Sequence, residues 1–231
     1  MNKLFIPKHI AIIMDGNSRW AKKNSVSDIS GYREGIKVAQ DIIKSAKKMG
    51  VQHLTLYAFS IENWNRPKDK VEKLMTIFKG YLKKDINELI RNDIKVQFIG
   101  NFSRLDPEII NLMQNAEDAS HGNSFNLRIA ISYGARDEIL DAAIRFSTAI
   151  SGNDSKEIME QKFNQIINPD NIPDPDLLIR TSGEHRVSNF LLWQIAYTEL
   201  YFVDKLWPEF TEEDLEHAIE DFNKRERRYG K

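Results

Sequence analysis

The sequence predicts an α/β fold in which a mostly parallel, six-stranded sheet carries helices on both faces. Two observations support this. Short β-branched runs alternate with longer segments of helical period, and no repeat, low-complexity tract or linker divides the chain. The 231 residues are enough for one substantial core, so we expect a single domain spanning residues 1–231. Alternation of this kind is typical of parallel sheets that helices cover.

Six runs have the length and composition of strands. They lie at residues 9–14, 54–59, 94–99, 127–132, 176–180 and 199–203. The first run reads HIAIIM and stops at an acid, Asp15. The others are similarly rich in β-branched, aromatic and other apolar residues, which favours strands over short helices.

Six segments have helical periodicity. They lie at about residues 33–49, 68–91, 106–120, 135–150, 155–166 and 211–228. Several starts are marked: Pro67 precedes a charged first turn, Asp106 precedes Pro107, and Thr211 precedes three acids. The apolar stripe along residues 71–92 favours a core-facing helix, and the alternative is that part of it lines a hydrophobic cleft.

Composition excludes several classes of function. Lys and Arg total 33 against 34 for Asp and Glu, so the formal net charge is −1 and nothing favours nucleic-acid binding through a positive field. The chain has no cysteine, which excludes disulfides and thiolate metal sites and fits a cytoplasmic location. We expect no signal peptide and no transmembrane segment, so any membrane contact must be peripheral.

Unusual side chains follow four of the predicted strands. In an open parallel sheet, ligands bind beyond the carboxyl ends of the strands. The loops at residues 15–20, 60–66, 133–136 and 180–186 supply arginines, carboxylates, small hydrogen-bonding residues and two tryptophans. If the strands are parallel, these loops meet at one edge of the sheet, and their convergence indicates a binding site.

The residue types suit a magnesium-bound diphosphate. Arginine matches phosphate oxygens bidentately, and a helix starting after Ser188 and Asn189 would add a second anion site at its N-terminus. Asp15 and Glu199 are the candidate metal carboxylates, since oxygen ligands beside phosphate are typical of Mg²⁺. The sequence contains neither GxxxxGK[ST] nor GxGxxG, the motifs of nucleotide binding. The group attached to the diphosphate is therefore expected to be something other than a nucleoside.

These motifs resemble those of the cis-prenyltransferases, most closely the bacterial undecaprenyl diphosphate synthases. The matching runs are HIAIIMDGNSRWA, LTLYAFSIENWNRP, ISYGARDEI and PDPDLLIRTSGEHRVSNFLLWQIAYTELYF, with RERRYG in the final helix, over about residues 8–230. The resemblance implies a Mg²⁺-dependent homodimer that adds isopentenyl diphosphate to an allylic diphosphate such as farnesyl diphosphate. It also implies a long polyprenyl product, such as undecaprenyl diphosphate, in a hydrophobic tunnel along the 71–92 helix.

The resemblance also implies roles for individual residues. Asp15 would be the essential acid that holds Mg²⁺, Glu199 a second metal carboxylate, and Asn63 the residue of proton removal. The implied substrate-binding residues are Gly16, Asn17, Ser18, Arg19, Trp20, Ser60, Ile61, Glu62, Trp64, Arg66, Arg180, Arg186, Val187 and Ser188. Ile61 and Val187 would offer only backbone atoms. An amide is a poor base, so a diphosphate oxygen is the alternative proton acceptor.

Three positions depart from the family pattern. Ser18, Asp28 and Tyr32 stand where Gly, Arg and His are usual, and an acid at position 28 would repel a diphosphate. One of four nearby cations is expected to offset the acid: Arg19, Lys22, Lys23 or Arg33. Alternatively, the loop carries Asp28 away from the site.

Two other functions remain open on the sequence. One is a non-catalytic subunit of a prenyltransferase complex, which only Asp28 favours. The other is a magnesium phosphohydrolase, for which a DxD nucleophile is expected where this chain has DGN. His185 would assist the metal or a proton relay, or do neither. The tail Arg228-Tyr229-Gly230 resembles one that is thought to reach a neighbouring active site.

Overall fold

One sheet organises the chain. The computed structural model of the protein describes residues 5–225. The strands are β1 (His9–Ile13), β2 (His53–Ser60), β3 (Ile94–Ile99), β4 (Phe125–Tyr133), β5 (Leu177–Arg180) and β6 (Glu199–Phe202). Every neighbouring pair is parallel, and the order is β3-β4-β2-β1-β5-β6. The predicted α/β class and six-stranded sheet are confirmed, and all strands end at the same edge.

Helices connect and flank the strands. They are α1 (Asn17–Lys23), α2 (Asp28–Met49), α3 (Lys68–Lys84), α4 (Ile86–Arg91), α5 (Pro107–Ser120), α6 (Ala135–Ala149), α7 (Lys156–Ile167) and α8 (Glu212–Lys224). Side chains cap several starts: Ser27 Oγ accepts from the Ser30 N–H, and Thr211 forms a capping box with Asp214. No helix among the described residues is long and apolar enough to cross a membrane.

Most predicted elements are confirmed within a few residues, and three differ. Helix α1 was not predicted, because its polar sequence NSRWAKK has no apolar period. The predicted 68–91 helix is divided at Asp85 into α3 and α4. The predicted helix after Asn189 is absent from the described structure, since residues 189–198 form turns.

The sheet has a buried core on each face. Successive strand residues point to opposite faces, so Ile10 and Ile12 pack beneath α2, α3, α5 and α8. Ala11 and Ile13 face the other way, in a smaller cluster that includes Phe190 and the first residue of α6. Helices therefore cover both faces, as predicted.

Strand β1 lies between β2 and β5, where the direction of winding changes. The chain goes from β1 to β2 on one side and later returns to β5 on the other. The loops beyond such neighbouring strands separate and leave a crevice at the carboxyl edge. Asp15 lies directly beyond β1, at this crevice.

Candidate active site

A cavity of about 500 Å³ opens between the sheet and helices α2 and α3, at the carboxyl ends of β1, β2 and β5. Polar side chains and the backbone of Gly16 form its mouth: Asp15, Asn17, Ser18, Arg19, Tyr32, Ser60, Asn63, Arg66, Arg180, Arg186 and Ser188. Apolar side chains line its interior: Ile36, Ala39, Ile43, Leu56, Leu74, Met75, Ile77, Phe78, Tyr81, Ile129 and Ile131. One cavity therefore combines a charged entrance with a hydrocarbon interior.

Helix α3 contributes to both the core and the cavity. Val71 and Leu82 are buried in the core. Leu74, Met75 and Phe78 are half-buried and line the cavity. The two interpretations of the 71–92 stripe are thus each correct for different residues, and the expected hydrophobic tunnel corresponds to this apolar interior.

Asp15 is held at the mouth through its backbone. Its N–H donates to Thr181 Oγ1 at 3.0 Å, and its carbonyl accepts from the Trp207 N–H at 2.9 Å. The carboxylate Oδ2 accepts from Arg19 and from Arg180, each at 3.0 Å. Within residues 5–225, no hydrogen bond reaches Oδ1 of Asp15, so this oxygen is available to a ligand.

Arg180, Arg186 and Ser188 form a bonded group on the β5 side of Asp15, here called the β5 cluster. Arg180 is 3 % exposed, and its Nη1 donates to Ser188 Oγ at 2.7 Å and to the Arg186 carbonyl. Its buried Nε has no hydrogen-bond partner in the described part of the chain. A buried guanidinium with an unused donor is suited to an anion, because an unpaired buried donor costs free energy.

The expected anion site at a helix N-terminus after Ser188 is not formed. Ser188, Asn189 and Leu191 have φ angles of 46°, 61° and 47°. These left-handed residues stop a right-handed helix from forming. The loop instead brings Ser188 Oγ to Arg180 and buries Phe190 in the core.

Glu184 connects two of the arginines, a role that sequence reasoning missed. Its Oε1 accepts from Arg19 at 3.1 Å, and its Oε2 accepts from Arg186 at 2.5 Å. The hydrogen bond and the charge of Arg186, with a smaller effect of Arg19, lower the pKa of Glu184. Any anion that enters the mouth must therefore compete with two acids, Asp15 and Glu184, for the arginines. The sequence signal that could have indicated this role of Glu184 is an acid between two arginines in RTSGEHR.

Asn63 lies beyond β2 in a short 3-10 helix, Ile61–Asn65. Its Oδ1 accepts from the Ser60 N–H at 3.2 Å, as part of a capping box. Because the amide oxygen is committed to the backbone, the amino group is what remains for a ligand. An amide held in this way can donate a hydrogen bond but does not accept a proton.

The three departures from the family pattern lie in one bonded group, here called the α2–α3 cluster: Ser18, Asp28, Tyr32, Arg66 and Lys70. Asp28 Oδ2 pairs with Lys70 Nζ at 2.8 Å, and Lys70 donates to Ser18 Oγ at 3.3 Å. Ser18 Oγ and Arg66 Nη1 each lie 3.1 Å from Tyr32 Oη. The hydrogen bond from Lys70, more than any other contact, lowers the pKa of Asp28. The compensating cation is Lys70, so the expectation of a cation at position 19, 22, 23 or 33 is wrong.

Several sequence-predicted binding residues lie outside the cavity lining: Trp20, Ile61, Glu62, Trp64 and Val187. Trp64 donates from Nε1 to Ser132 Oγ at 2.9 Å and packs edge-on against Phe59. Glu62 accepts from Asn189 Nδ2 at 2.8 Å. These contacts tie the loop after β2 to strand β4 and to the loop after β5, so they position the mouth.

Glu199 lies at the amino-terminal ends of the strands, whereas Asp15 lies at their carboxyl ends. Glu199 is the first residue of β6 and is level with Leu177, the first residue of β5. Arg180, which pairs with Asp15, is the last residue of β5. Three residues of strand separate these levels, about 10 Å. Glu199 instead pairs with Arg225 at 3.0 Å. Within one chain, Asp15 and Glu199 therefore do not hold the same metal ion.

The described residues contain no cluster of metal ligands, and His185 lies outside the mouth. Among residues 5–225, no group of three His, Asp or Glu side chains could hold a metal ion. The His185 ring stacks on Phe202, with centroids 5.0 Å apart, and does not line the cavity. The tail Arg228-Tyr229-Gly230 lies outside the described residues.

The chain is similar to known proteins in sequence and in structure. The family model described as "Putative undecaprenyl diphosphate synthase" matches residues 13–230. An isoprenyl transferase of Aquifex pyrophilus is 46 % identical over 229 residues, which are 99 % of this chain and 97 % of that protein. An isoprenyl transferase of Fusobacterium nucleatum is 46 % identical over 227 residues, 97 % of this chain and 96 % of that protein.

Two solved structures extend the similarity to the fold. Lavandulyl diphosphate synthase from Lavandula x intermedia, in complex with dimethylallyl diphosphate, matches with a TM-score of 0.92 at 37 % identity, covering 98 % of this chain and 99 % of that one. A probable undecaprenyl diphosphate synthase from Campylobacter jejuni matches with a TM-score of 0.80 at 33 % identity, covering both chains fully. The chain is therefore a prenyltransferase enzyme and belongs to the undecaprenyl diphosphate synthase family of isoprenyl transferases.

Proposed function

We propose that the protein is a Mg²⁺-dependent cis-prenyltransferase that condenses isopentenyl diphosphate with an allylic diphosphate, with farnesyl diphosphate as primer. The observation that carries the proposal is the two-part cavity, with cations at its mouth and hydrocarbon side chains inside. A diphosphate head and a prenyl tail match these two parts. Repeated condensation in a single catalytic domain would give a long polyprenyl diphosphate, such as undecaprenyl diphosphate.

Two diphosphate positions are proposed, one on each side of Asp15. Because β1 lies between β2 and β5, the β5 cluster and Arg66 approach the mouth from opposite sides. We assign isopentenyl diphosphate to the β5 cluster. The allylic diphosphate is assigned to Gly16, Asn17, Arg19 and Arg66, from where its tail enters the apolar interior.

The donor set at the mouth fits Mg²⁺ that is held mainly by substrate. Mg²⁺ is commonly bound through one or two carboxylates together with substrate phosphates and water. Asp15 supplies one carboxylate, whose Oδ1 is available, beside the proposed diphosphate positions. When bound, the ion would neutralise the charge that develops on the departing diphosphate. Arg19 and Arg180 hold the Asp15 carboxylate in place for this purpose.

Proton removal is proposed to end on a diphosphate oxygen. Forming the new carbon–carbon bond breaks the allylic carbon–oxygen bond and releases one proton from the isopentenyl unit. The Asn63 oxygen already accepts from Ser60, so Asn63 is assigned to donate a hydrogen bond that orients the substrate. The diphosphate is the basic group nearest to the reacting carbons in this arrangement.

A homodimer is proposed, with Glu199 acting in the site of the other copy. Glu199 is at the wrong edge of the sheet to reach Asp15 in its own chain. Apolar side chains are available for an interface: Leu140 and Ile144 are each 61 % exposed on α6, and Tyr197 is 80 % exposed.

A cytoplasmic location is also proposed. Peripheral contact with a membrane is proposed in addition, because the product would be a lipid carrier.

Product analysis tests the proposed activity. Purified protein is incubated with farnesyl diphosphate, labelled isopentenyl diphosphate and Mg²⁺, and the lipid is extracted and sized. A labelled polyprenyl diphosphate is expected, and its loss on chelation of the metal. Release of phosphate without a long lipid would instead indicate a phosphohydrolase, and no reaction would indicate a non-catalytic subunit.

Asp15→Asn is the sharpest single test of the metal assignment. The amide keeps the shape of the side chain but removes its charge, so the turnover number should fall at least about 100-fold. Asp41→Asn, on the surface of α2, is the matched control and should keep normal turnover. Normal turnover in Asp15→Asn, with an unchanged melting temperature, would refute the assignment.

A further inference from the structure

The α2–α3 cluster holds an ammonium group directly behind the cavity mouth. Three of its members, Ser18, Tyr32 and Arg66, line the cavity. Lys70 Nζ lies 3.3 Å from Ser18 Oγ, and Asp28 Oδ2 holds it at 2.8 Å. The Lys70 side chain is 30 % exposed, so most of it lies against the protein.

The cluster keeps a net positive charge in spite of its acid. Arg66 and Lys70 are cations and Asp28 is the single anion, so the net charge is +1. An ammonium group has three N–H donors. Among the described residues, Asp28 and Ser18 take two of them, which leaves one for a ligand.

A purely structural role explains this arrangement poorly. A partly exposed ion pair contributes little to stability, because solvent screens it and ordering two long side chains costs entropy. The same contact has a clearer purpose if the lysine must be held still. Lysine is a flexible point charge, and a fixed carboxylate restricts where its ammonium group can lie.

Building on the proposed function, we propose that Lys70 binds the diphosphate on the α3 side of the mouth and that Asp28 positions it there. The diphosphate would contact Lys70 together with Arg66, which Tyr32 orients. Asp28 then supports the anion site by immobilising a cation, and its own charge is compensated within the cluster.

Calorimetric titration with inorganic diphosphate tests the binding role without turnover. Lys70→Met removes the charge and keeps most of the side-chain length, and it should weaken binding about tenfold, as expected for one lost charge-assisted contact. Lys73→Met is the matched control, since Lys73 lies on the same helix and pairs with Asp69 at 3.4 Å. Its affinity should stay within about twofold of the wild type.

Asp28→Asn tests the positioning role through the sign of its effect. Removing an acid near an anion site tightens binding if only long-range repulsion matters. If Asp28 positions Lys70, binding instead weakens, by about threefold, as expected for the loss of a partly exposed ion pair. In a Lys70→Met background, the same Asp28→Asn change should not weaken binding further, because there is no ammonium left to position.

The outcomes separate this inference from the proposed function. Unchanged affinity in Lys70→Met, tighter binding in Asp28→Asn, or no diphosphate binding by the wild type would each overturn the inference. Wild-type protein that binds diphosphate but makes no polyprenyl product would overturn only the proposed function. Thermal denaturation checks folding, and Lys70→Gln replaces Lys70→Met if the latter is unfolded.

Discussion

Around the cavity mouth, the charged side chains hold one another in place. Arg19 and Arg180 share the Asp15 Oδ2 atom, and Arg19 also shares Glu184 with Arg186. In the proposed reaction, a diphosphate meets guanidinium groups that carboxylates already orient. Such preorganised donors need little rearrangement when charge develops during a reaction.

Glu184→Gln should show this competition directly. The amide pairs more weakly with Arg19 and Arg186, so the Michaelis constant for isopentenyl diphosphate should fall about threefold at low salt. Steady-state kinetics with varied isopentenyl diphosphate measure the effect. Glu209→Gln is the control. It weakens the ion pair between Glu209 and Lys23, whose charged atoms are 2.6 Å apart, and neither residue lines the cavity. A higher Michaelis constant would mean that Glu184 assists binding instead of opposing it.

At the scale of elements, the contact between α1 and α2 places part of the mouth. A β-carbon on Gly31 would collide with the Asn17 carbonyl oxygen, and one on Gly35 with Asn17 Oδ1. The Gly35 carbonyl also accepts from Trp207 Nε1 at 2.8 Å. Two glycines one turn apart on α2 thus let α1 approach closely, and α1 carries Asn17 and Arg19.

Gly31→Ala should disturb this contact. The new methyl group meets backbone atoms, so α1 must shift, at a cost of about 1–3 kcal/mol in the free energy of unfolding. Diphosphate affinity should fall as well, because Arg19 moves with α1. Gly80→Ala is the control: nothing lies within 4 Å of its new β-carbon, and this change in α3 should leave stability equal or slightly higher. Equal stability of both variants in urea would contradict the close contact.

Ala39→Leu should shorten the product. Ala39 on α2 is half-buried and lines the apolar interior, so a larger side chain occupies space that we propose for the prenyl tail. Mass spectrometry of the extracted lipid should show fewer isoprene units, with the initial rate of the first condensation little changed. Ala119→Leu on the exposed side of α5 should leave the distribution as it is. An unchanged distribution in Ala39→Leu would place the tail elsewhere.

At the scale of the whole molecule, the two edges of the sheet have different chemistry. The carboxyl edge carries the site, whereas the opposite edge buries a polar group around His9. His9 contacts the Pro173 carbonyl at 2.6 Å and Thr55 Oγ1 at 2.8 Å through its two ring nitrogens. Burial, more than any other effect, lowers the pKa of His9 to about 3. The folded state therefore keeps this imidazole neutral at pH values where the unfolded chain protonates it.

Acid should consequently destabilise the fold well above the range in which carboxylates protonate. Between pH 6.5 and 3 the unfolded chain binds one more proton than the folded chain at His9, so stability falls as the pH falls, by about 1.4 kcal/mol per pH unit. Urea unfolding at pH 7, 6 and 5 measures the slope. His9→Gln should reduce the slope, and His217→Gln, on the exposed face of α8, should not. An equal slope in His9→Gln would assign the effect to other groups.

The local sequence pattern was sufficient to predict most helices and strands. It also predicted that the loops meet at the carboxyl ends of the strands. It failed where the decisive contact is distant in sequence. Lys70 lies far along the chain from Asp28, and Glu184 from Arg19, so neither pairing could be read locally. The helix expected after Asn189 failed for a related reason, because burial of Phe190 and the Ala135–Asn189 hydrogen bond favour turns over helical propensity.

The α/β class, the parallel sheet, the family, and the acid and arginines at the strand ends could all be predicted from the sequence, because they follow from the apolar period and from motifs along the chain. Which side chains share the mouth became clear from the folded arrangement alone. That arrangement separated Asp15 from Glu199 and paired Asp28 with Lys70, because such contacts depend on strand order and on the distance between elements that are remote in sequence.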